Sequence, residues 1–270
     1  MRFLRDALIL KPGFIIGTAI LLCGFLFVRM TAAADTATDE RRQLETAAAA
    51  KQRYEDRNAL AIYEELLAAR PDQPEALWNA AYLHIRLGWL DNEAGSRRGH
   101  YEKAHDYAAR VFRRYPDSYE AHLVMGAAKA KLAEFLGSGE KVKTARELEQ
   151  HARFLLSRRS DNPDVWYLYA WWHFEISRVS LADRFLAALL FGGLPTGASV
   201  DQAIECLQKA IALKPDYSAY RHDLGLFYER TGNPALAREM YQAAIRTTPK
   251  TPEDPIFIEK ARNRLARLDP

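Results

Sequence analysis

The histidines and cysteines are the residues of this chain best suited to metal binding or nucleophilic chemistry. Seven histidines stand at positions 84, 100, 105, 122, 151, 173 and 222, and none belongs to an HExxH motif or lies at ligand spacing from a cysteine. The two cysteines are Cys23, in an apolar N-terminal run, and Cys206, in a helical pattern. We therefore expect no catalytic residue, no metal site, no cofactor and no disulfide framework, and we interpret the histidines as surface or helix-packing residues.

Two pairs of glycines are further candidates, because a glycine-rich loop can hold a phosphate. Gly137 and Gly139 form one pair, and Gly192 and Gly193 form the other. Neither pair has the strand–loop–helix setting with a following lysine that phosphate binding requires. We interpret both pairs as turns, and the sequence predicts a protein that is not an enzyme.

The distribution of charge argues against a nucleic-acid-binding protein. The formal net charge of the 270 residues is +3. Residues 1–34 account for all of this charge, so residues 35–270 are formally neutral. Since a nucleic-acid binder needs a basic face for its phosphate contacts, we expect no nucleic-acid partner.

Residues 1–34 have the composition of an export signal or a membrane anchor. Basic residues precede an uninterrupted apolar run from Gly13 to Val28, which would be roughly 24 Å long as a helix. Ala32 and Ala34 favour cleavage after residue 34, whereas Arg29 favours a retained transmembrane helix. Both alternatives place the rest of the chain outside the cytoplasm, either free in the periplasm or anchored in the inner membrane.

Proline recurs after helical stretches, at Pro71, Pro116, Pro215 and Pro249. The last two are 34 residues apart, which is the period of the tetratricopeptide repeat, and small or apolar residues recur at fixed offsets before each proline. This pattern predicts an all-α protein, a right-handed superhelical solenoid over residues 35–268. We expect five helix pairs and a capping helix, at about 39–71, 75–116, 120–160, 164–215, 218–249 and 255–268.

Three of the repeats are longer than 34 residues. Their extra residues fall between the two helices of a pair, at about 91–99, 137–143 and 180–199. Because equivalent points of stacked repeats lie side by side, we expect these insertions to line one edge of the solenoid.

The irregular segments of the chain are more distinctive than the repeats. They are residues 136–143, the aromatic run 166–174, the apolar stretch 181–195, and the shorter segments 210–215 and 251–254. Together they resemble the regulator of microtubule dynamics family, a tetratricopeptide-repeat group, and this chain resembles a bacterial-type member. The resemblance implies a non-catalytic adaptor, and eukaryotic members of the family are associated with microtubules and organelle membranes.

The first helix of each pair lines the concave face of a tetratricopeptide superhelix. Positions one, five and eight residues after the first packing position of these helices form the predicted ligand groove, with the residues Trp78, Tyr82, Ile85, Leu123, Tyr167, Trp171, Phe174 and His222. A concave apolar surface of this kind is typical of a binding site for a peptide or an acyl chain. The competing interpretation is that these aromatic side chains pack between helices.

An apolar insert separates the two helices of the fourth pair. Leu181, Phe185, Leu189 and Phe191 recur in it at helical spacing and give it an apolar face. We expect this face to pack within the protein, where it would fill the groove, in preference to contact with a membrane or a partner.

The function that the sequence favours is that of a non-enzymatic interaction scaffold, which binds an extended peptide or apolar segment in its concave groove. The expected partner is a protein or peptide, with a membrane contact through the N-terminal segment if that segment is retained. One alternative is a carrier for a lipid or another apolar small molecule. A second alternative, from the family resemblance, is a microtubule-associated adaptor.

Overall fold

The computed structural model describes residues 37–268, and the predicted signal or anchor segment lies outside the described residues. Residues 37–268 contain twelve α-helices, one short 3₁₀ helix (Ala133–Phe135) and no strand. The helices are α1 (37–52), α2 (Asp56–Ala69), α3 (Pro74–Leu90), α4 (Ala94–Arg114), α5 (Tyr119–Leu132), α6 (Ser138–Arg158), α7 (Pro163–Ser177), α8 (Leu181–Phe191), α9 (Val200–Leu213), α10 (Ser218–Arg230), α11 (Pro234–Ile245) and α12 (Asp254–Leu268).

The helices stack as pairs along the chain. From α2 onward each helix packs on its neighbours in sequence, except that α7 packs directly on α9 and leaves α8 outside this succession. The first helices of successive pairs also touch, since α3 contacts α5 and α5 contacts α7. This arrangement confirms the prediction of an all-α tetratricopeptide-repeat solenoid. Within residues 37–268 we find no helix that combines the length and the apolar character needed to cross a membrane.

Polar side chains and prolines fix where several helices begin. Ser118 accepts a hydrogen bond from the backbone N–H of Ala121 at 3.3 Å, and Ser199 caps α9 in the same way. Pro163 occupies the first turn of α7, directly after the capping residue Asn162. A proline at this position loses no helical hydrogen bond, because the first N–H groups of a helix have no partner within it.

Glycines at the helix crossings allow the paired helices to approach closely. A Cβ atom at Gly88 would lie 2.6 Å from the ring of Tyr101, and one at Gly225 would lie 2.7 Å from the ring of Tyr241. Both tyrosine rings are almost fully buried. At these two crossings a glycine is therefore required by the large aromatic ring that packs against it.

The predicted insertions are mostly helical. Helices α4 and α6 are both 21 residues long, so the extra residues of the second and third pairs lie mainly in their N-terminal turns. The longest insertion forms the separate helix α8 and the turn that follows it. Helix α8 packs against α6, which is the second helix of the preceding pair.

The C-terminal helix folds back to the first half of the solenoid. The ring of Phe257 on α12 stacks on Trp89 at the end of α3, with ring centroids 5.0 Å apart. Beside this stack, Nε of Arg86 donates to Oε1 of Glu253 at 3.1 Å, and the Arg86 guanidinium also pairs with Asp56 at 3.2 Å. The concave face is therefore bridged by side chains across its two ends.

Candidate ligand cavity

A cavity of about 1640 Å³ occupies the concave face of the solenoid. Its walls come from the first helices α3, α5, α7 and α10, and from α6, α8 and α12. Its middle section is apolar, with the side chains of Ile85, Leu123, Val124, Ala127, Leu168 and Leu226. The volume exceeds the roughly 300–1,000 Å³ of ordinary small-molecule sites, so the cavity has room for an extended ligand.

The structure brings most of the predicted groove residues to this cavity. Those that line it are Tyr82, Ile85, Leu123, Tyr167, Trp171 and His222. Trp78 lies elsewhere, packed in the N-terminal core with the ammonium of Lys51 4.8 Å from its ring centroid. Phe174 is fully buried and stacks on Phe227 at 3.9 Å, because its position on α7 faces α10 within the core. Trp78 and Phe174 therefore pack between helices, as the competing interpretation of the sequence predicts.

A buried carboxylate organises three of the predicted residues. The Tyr167 hydroxyl donates to Oδ2 of Asp223 at 2.6 Å, and Nε1 of Trp171 donates to the same oxygen at 3.0 Å. Nδ1 of His222 lies 2.7 Å from the other oxygen, Oδ1. Asp223 is 3% exposed, and burial together with this carboxylate raises the pKa of Tyr167 well above its ordinary value. Sequence reasoning missed Asp223, although an acid between His222 and Leu224 on an otherwise apolar helix is a detectable signal.

Among the described residues of the cavity every carboxylate is paired, whereas several cations are not. Each carboxylate that lines it has a hydrogen-bond or ion-pair partner, the six being Glu134, Asp164, Glu175, Asp183, Asp223 and Glu253. Five lining cations have neither kind of partner within residues 37–268, namely Lys131, Lys141, Lys214, Lys260 and Arg267. Two of them lie over aromatic rings, Lys214 over Tyr217 at 4.1 Å and Lys260 over Phe257 at 5.0 Å. The cavity thus presents more cations than carboxylates.

Lys131 lines the cavity from α5 and is half-buried. Burial lowers its pKa, the carboxylates of Asp223 and Glu134 act in the opposite direction, and Lys260 lowers the pKa further. An ammonium group without a carboxylate partner, surrounded by protein, is unfavourable unless a ligand or water compensates its charge.

The apolar insert departs from its predicted packing. Leu181 is 86% exposed, and Phe185 and Leu189 are each 68% exposed, so the prediction that this face packs within the protein is wrong for these residues. Helix α8 packs mainly against α6, and Arg184 also donates to the carbonyl of Ile176 at the end of α7. Most of the circumference of α8 is left uncovered. Phe191 lies at the edge of the cavity and contacts α6 at Gly139.

The histidines lie mainly at helix interfaces and form two similar pairs. Nδ1 of His84 is 2.9 Å from Nδ1 of His100, and the same atoms of His122 and His151 are also 2.9 Å apart. Burial lowers the pKa of His151 to about 4. Within the described part of the chain, no three His, Cys, Asp or Glu side chains are grouped so that they could hold a metal ion.

Cys206 is buried against the core of the fourth and fifth helix pairs. Burial raises the pKa of its thiol to about 11. The thiol is therefore protonated at neutral pH, and it lacks the thiolate character of a nucleophilic cysteine.

Comparison with known proteins identifies the family. The profile of regulator of microtubule dynamics protein 1-3 matches residues 43–269. Regulator of microtubule dynamics protein 3 of Bos taurus is 24% identical over 182 residues, which cover 67% of this chain and 38% of that protein. Regulator of microtubule dynamics protein 2 of Mus musculus is 23% identical over 199 residues, which cover 73% of this chain and 48% of that protein. The chain thus spans less than half the length of these relatives.

A solved structure shows the same fold. The crystal structure of TTC0263, a thermophilic tetratricopeptide-repeat protein of Thermus thermophilus, superposes with a TM-score of 0.53 at 20% sequence identity. The match covers 83% of this chain and 99% of that one. Since the family profile extends over nearly all of the described residues, the chain belongs to the regulator of microtubule dynamics family.

Proposed function

We propose that this protein is a non-enzymatic interaction scaffold that binds an extended peptide or apolar segment of a partner in its concave cavity. The observation that supports the proposal is the cavity itself, with about 1640 Å³ of space between apolar helix faces. Soluble proteins seldom keep a concave apolar surface of this size unless it binds a ligand.

The hydrogen bonds to Asp223 determine which parts of the Tyr167 and Trp171 side chains a ligand can contact. The hydroxyl of Tyr167 and the indole N–H of Trp171 are both bonded to this carboxylate. Their polar atoms are thereby occupied, and the rings are held in one orientation. A ligand would contact rigid ring surface, and little side-chain entropy would be lost on binding.

A substitution that fills the cavity tests the proposal without removing any existing contact. Ala127 lies on α5 and lines the cavity, so Ala127→Phe places a ring in the binding space. Ala68 is exposed on α2, and Ala68→Phe is the matched control. The assay is titration of the full-length chain with the apolar anion anilinonaphthalene sulfonate, followed by capture of partners from native membranes.

We expect Ala127→Phe to weaken dye binding about tenfold or more and to abolish partner capture, because the ring occupies space that the ligand needs. Ala68→Phe should behave as the unaltered protein. Circular dichroism establishes that both variants fold. Unchanged dye affinity and unchanged capture in folded Ala127→Phe would show that the cavity is not the binding site.

The bridge between α3 and α12 favours a second candidate, a carrier for a lipid or apolar small molecule. The Trp89–Phe257 stack and the Arg86–Glu253 hydrogen bond partly enclose the concave face, which suits a compact ligand as well as a peptide. Native mass spectrometry of the full-length protein separates the candidates. A carrier should retain an apolar molecule at one equivalent, whereas a peptide-binding scaffold should be recovered empty.

Membership in this family supports a third candidate, a microtubule-associated adaptor, because the relatives are named as regulators of microtubule dynamics. Co-sedimentation with polymerised tubulin tests it, with the unpolymerised dimer as control.

We also propose, from the composition of residues 1–34, that the repeat domain lies outside the cytoplasm. The intact mass of the protein purified from its own cell shows whether those residues are removed.

A further inference from the structure

Helix α8 carries the largest group of exposed apolar side chains in the described part of the chain. Besides Leu181, Phe185 and Leu189, the side chains of Leu186, Leu190 and Phe191 are also exposed, and Ala187 is the one buried residue of the helix. Eleven residues are too few to cross a bilayer, which takes about 20 in a helix. The length and composition suit a helix that lies in a membrane–water interface.

Polar contacts at its two ends hold α8 in place. At the N-terminal end, Ser180 accepts from the backbone N–H of Asp183 at 3.1 Å, and the Arg184 guanidinium donates to the carbonyl of Val179 and to that of Ile176 at the end of α7. At the C-terminal end, Gly192 adopts a left-handed conformation (φ 74°), and Arg146 donates to the carbonyl of Gly193 at 2.6 Å. The helix is thus fixed to the body mainly by its ends, and its apolar side chains remain available.

The surroundings of α8 are positively charged. Gly139 and Arg146 of α6 both contact the α8 region, and Lys143 lies on the same face of α6 between them, with 77% of its side chain exposed. Lys141 lines the edge of the cavity together with Phe191. Over α8 and residues 138–147 of α6, four cations (Lys141, Lys143, Arg146 and Arg184) stand against three carboxylates (Glu140, Glu147 and Asp183). Nζ of Lys143 lies 3.9 Å from Oε1 of Glu147, and Lys141 has no carboxylate partner among the described residues.

We propose that α8 docks the repeat domain on an anionic lipid bilayer. Leu181, Phe185 and Leu189 enter the boundary between headgroups and acyl chains, while Lys141 and Lys143 meet the lipid phosphates. Charge favours a bilayer over a second copy of this chain. Joining two α8 helices would bring Lys141 and Lys143 of both copies together, whereas an anionic lipid surface attracts these lysines. Leu181, Phe185 and Leu189 lie outside the cavity proposed above, and Lys141 lies at its border. The bilayer contact does not depend on ligand binding in the cavity.

A fluorophore attached to α8 tests the contact separately from any membrane insertion of residues 1–34. In a full-length Cys23→Ser chain, Leu189→Cys is labelled with a nitrobenzoxadiazole dye, while Cys206 is buried and protected from labelling. The control chain carries the dye at Ala68→Cys, on an exposed site of α2. Both chains are added to phosphatidylcholine vesicles with or without 30% phosphatidylserine, containing acyl chains that bear a nitroxide quencher.

We expect a blue shift and nitroxide quenching for the dye at position 189 in anionic vesicles, and neither change at position 68. Since a basic residue near an anionic surface contributes about 1 kcal/mol, the double variant Lys141→Gln, Lys143→Gln should weaken the contact roughly 30-fold. Arg146 is left unaltered, because it holds the end of α8.

Equal quenching at positions 189 and 68 would overturn the proposal. A blue shift at position 189 that grows with protein concentration in the absence of vesicles would also overturn it, because a second copy would then be the occupant. The label itself replaces one leucine of the proposed contact, so the experiment is repeated with the dye at Phe185→Cys, and the same outcomes are required.

Discussion

The pair formed by His122 and His151 should make the stability of this protein depend on pH. Their Nδ1 atoms are 2.9 Å apart, so one nitrogen donates and the other accepts, which requires a neutral acceptor ring. Phe112 packs edge-on against both rings, and Phe154 stacks on His122 at 3.7 Å. His151 is only 7% exposed. A proton on His151 would therefore place a poorly hydrated cation between aromatic rings.

The magnitude follows from the lowered pKa. Burial, followed by the neighbouring His122, lowers the pKa of His151 from 6.5 to about 4 in the folded protein. The unfolded chain therefore binds more protons between these two values. The contribution of His151 to stability is complete above pH 6.5 and declines as the pH falls toward 4. At pH 4.5 the loss from this group amounts to about 2.5 kcal/mol.

The substitution His151→Gln removes this titration and keeps a side chain that can hydrogen-bond to His122. At pH 7.5 we expect the variant to be less stable by about 1 kcal/mol, since one buried hydrogen bond becomes less favourable. At pH 4.5 the order should reverse, with the variant more stable by about 1–2 kcal/mol. Urea unfolding followed by circular dichroism at both pH values measures the difference.

The original and variant chains share every carboxylate, so their difference isolates the contribution of His151 from general acid denaturation. A difference in the free energy of unfolding that is the same at pH 7.5 and pH 4.5 would refute the reasoning. It would mean that His151 titrates with the same pKa in the folded and unfolded states.

Three further predictions concern packing and charge. Gly225→Ala should lower the free energy of unfolding in urea by about 1–3 kcal/mol, because the added Cβ would lie 2.7 Å from the Tyr241 ring. Its control is Gly99→Ala in α4, where an added Cβ would have no atom within 4 Å, and this variant should raise the free energy of unfolding by about 0.5–1 kcal/mol. Asp223→Leu should cost about 3 kcal/mol and alter the near-ultraviolet spectrum, because it removes the hydrogen-bond partner of the buried His222 and of the half-buried Tyr167 and Trp171. Lys131→Met should raise the thermal midpoint at pH 7, and less so as the pH approaches 10.5, because burial lowers the pKa of this ammonium.

The fold was predictable because its determinants lie close together in the sequence. Pro215 and Pro249 mark the ends of second helices, and the repeat pattern puts a small residue where Gly225 meets the ring of Tyr241. Each repeat carries these features within one pair of helices, so their recurrence along the sequence reveals them. The same repeat pattern predicts that the first helix of each pair faces the cavity. The structure places Tyr82, Tyr167 and Trp171 of these helices at the cavity.

The rest of the site depends on contacts between distant parts of the chain. Asp223 gains its position from Tyr167 and Trp171, which precede it by 56 and 52 residues. Counting along one helix cannot distinguish a residue that faces the cavity from one that faces the next helix. The sequence pattern therefore predicts Phe174 in the groove, whereas the structure packs it against Phe227. The exposure of α8 was missed because an apolar face in a sequence is ordinarily read as a buried one.

The contact between α12 and α3 changes how this solenoid should unfold. In an ordinary repeat array each unit touches only its neighbours, so a terminal unit can fray while the rest stays folded. Here Arg86 and Glu253 are 167 residues apart in sequence and hydrogen-bonded in space. Loss of the last helix would expose buried charge at α3 and weaken the opposite end of the array. The first and last parts of the array are therefore coupled, and we expect them to unfold together.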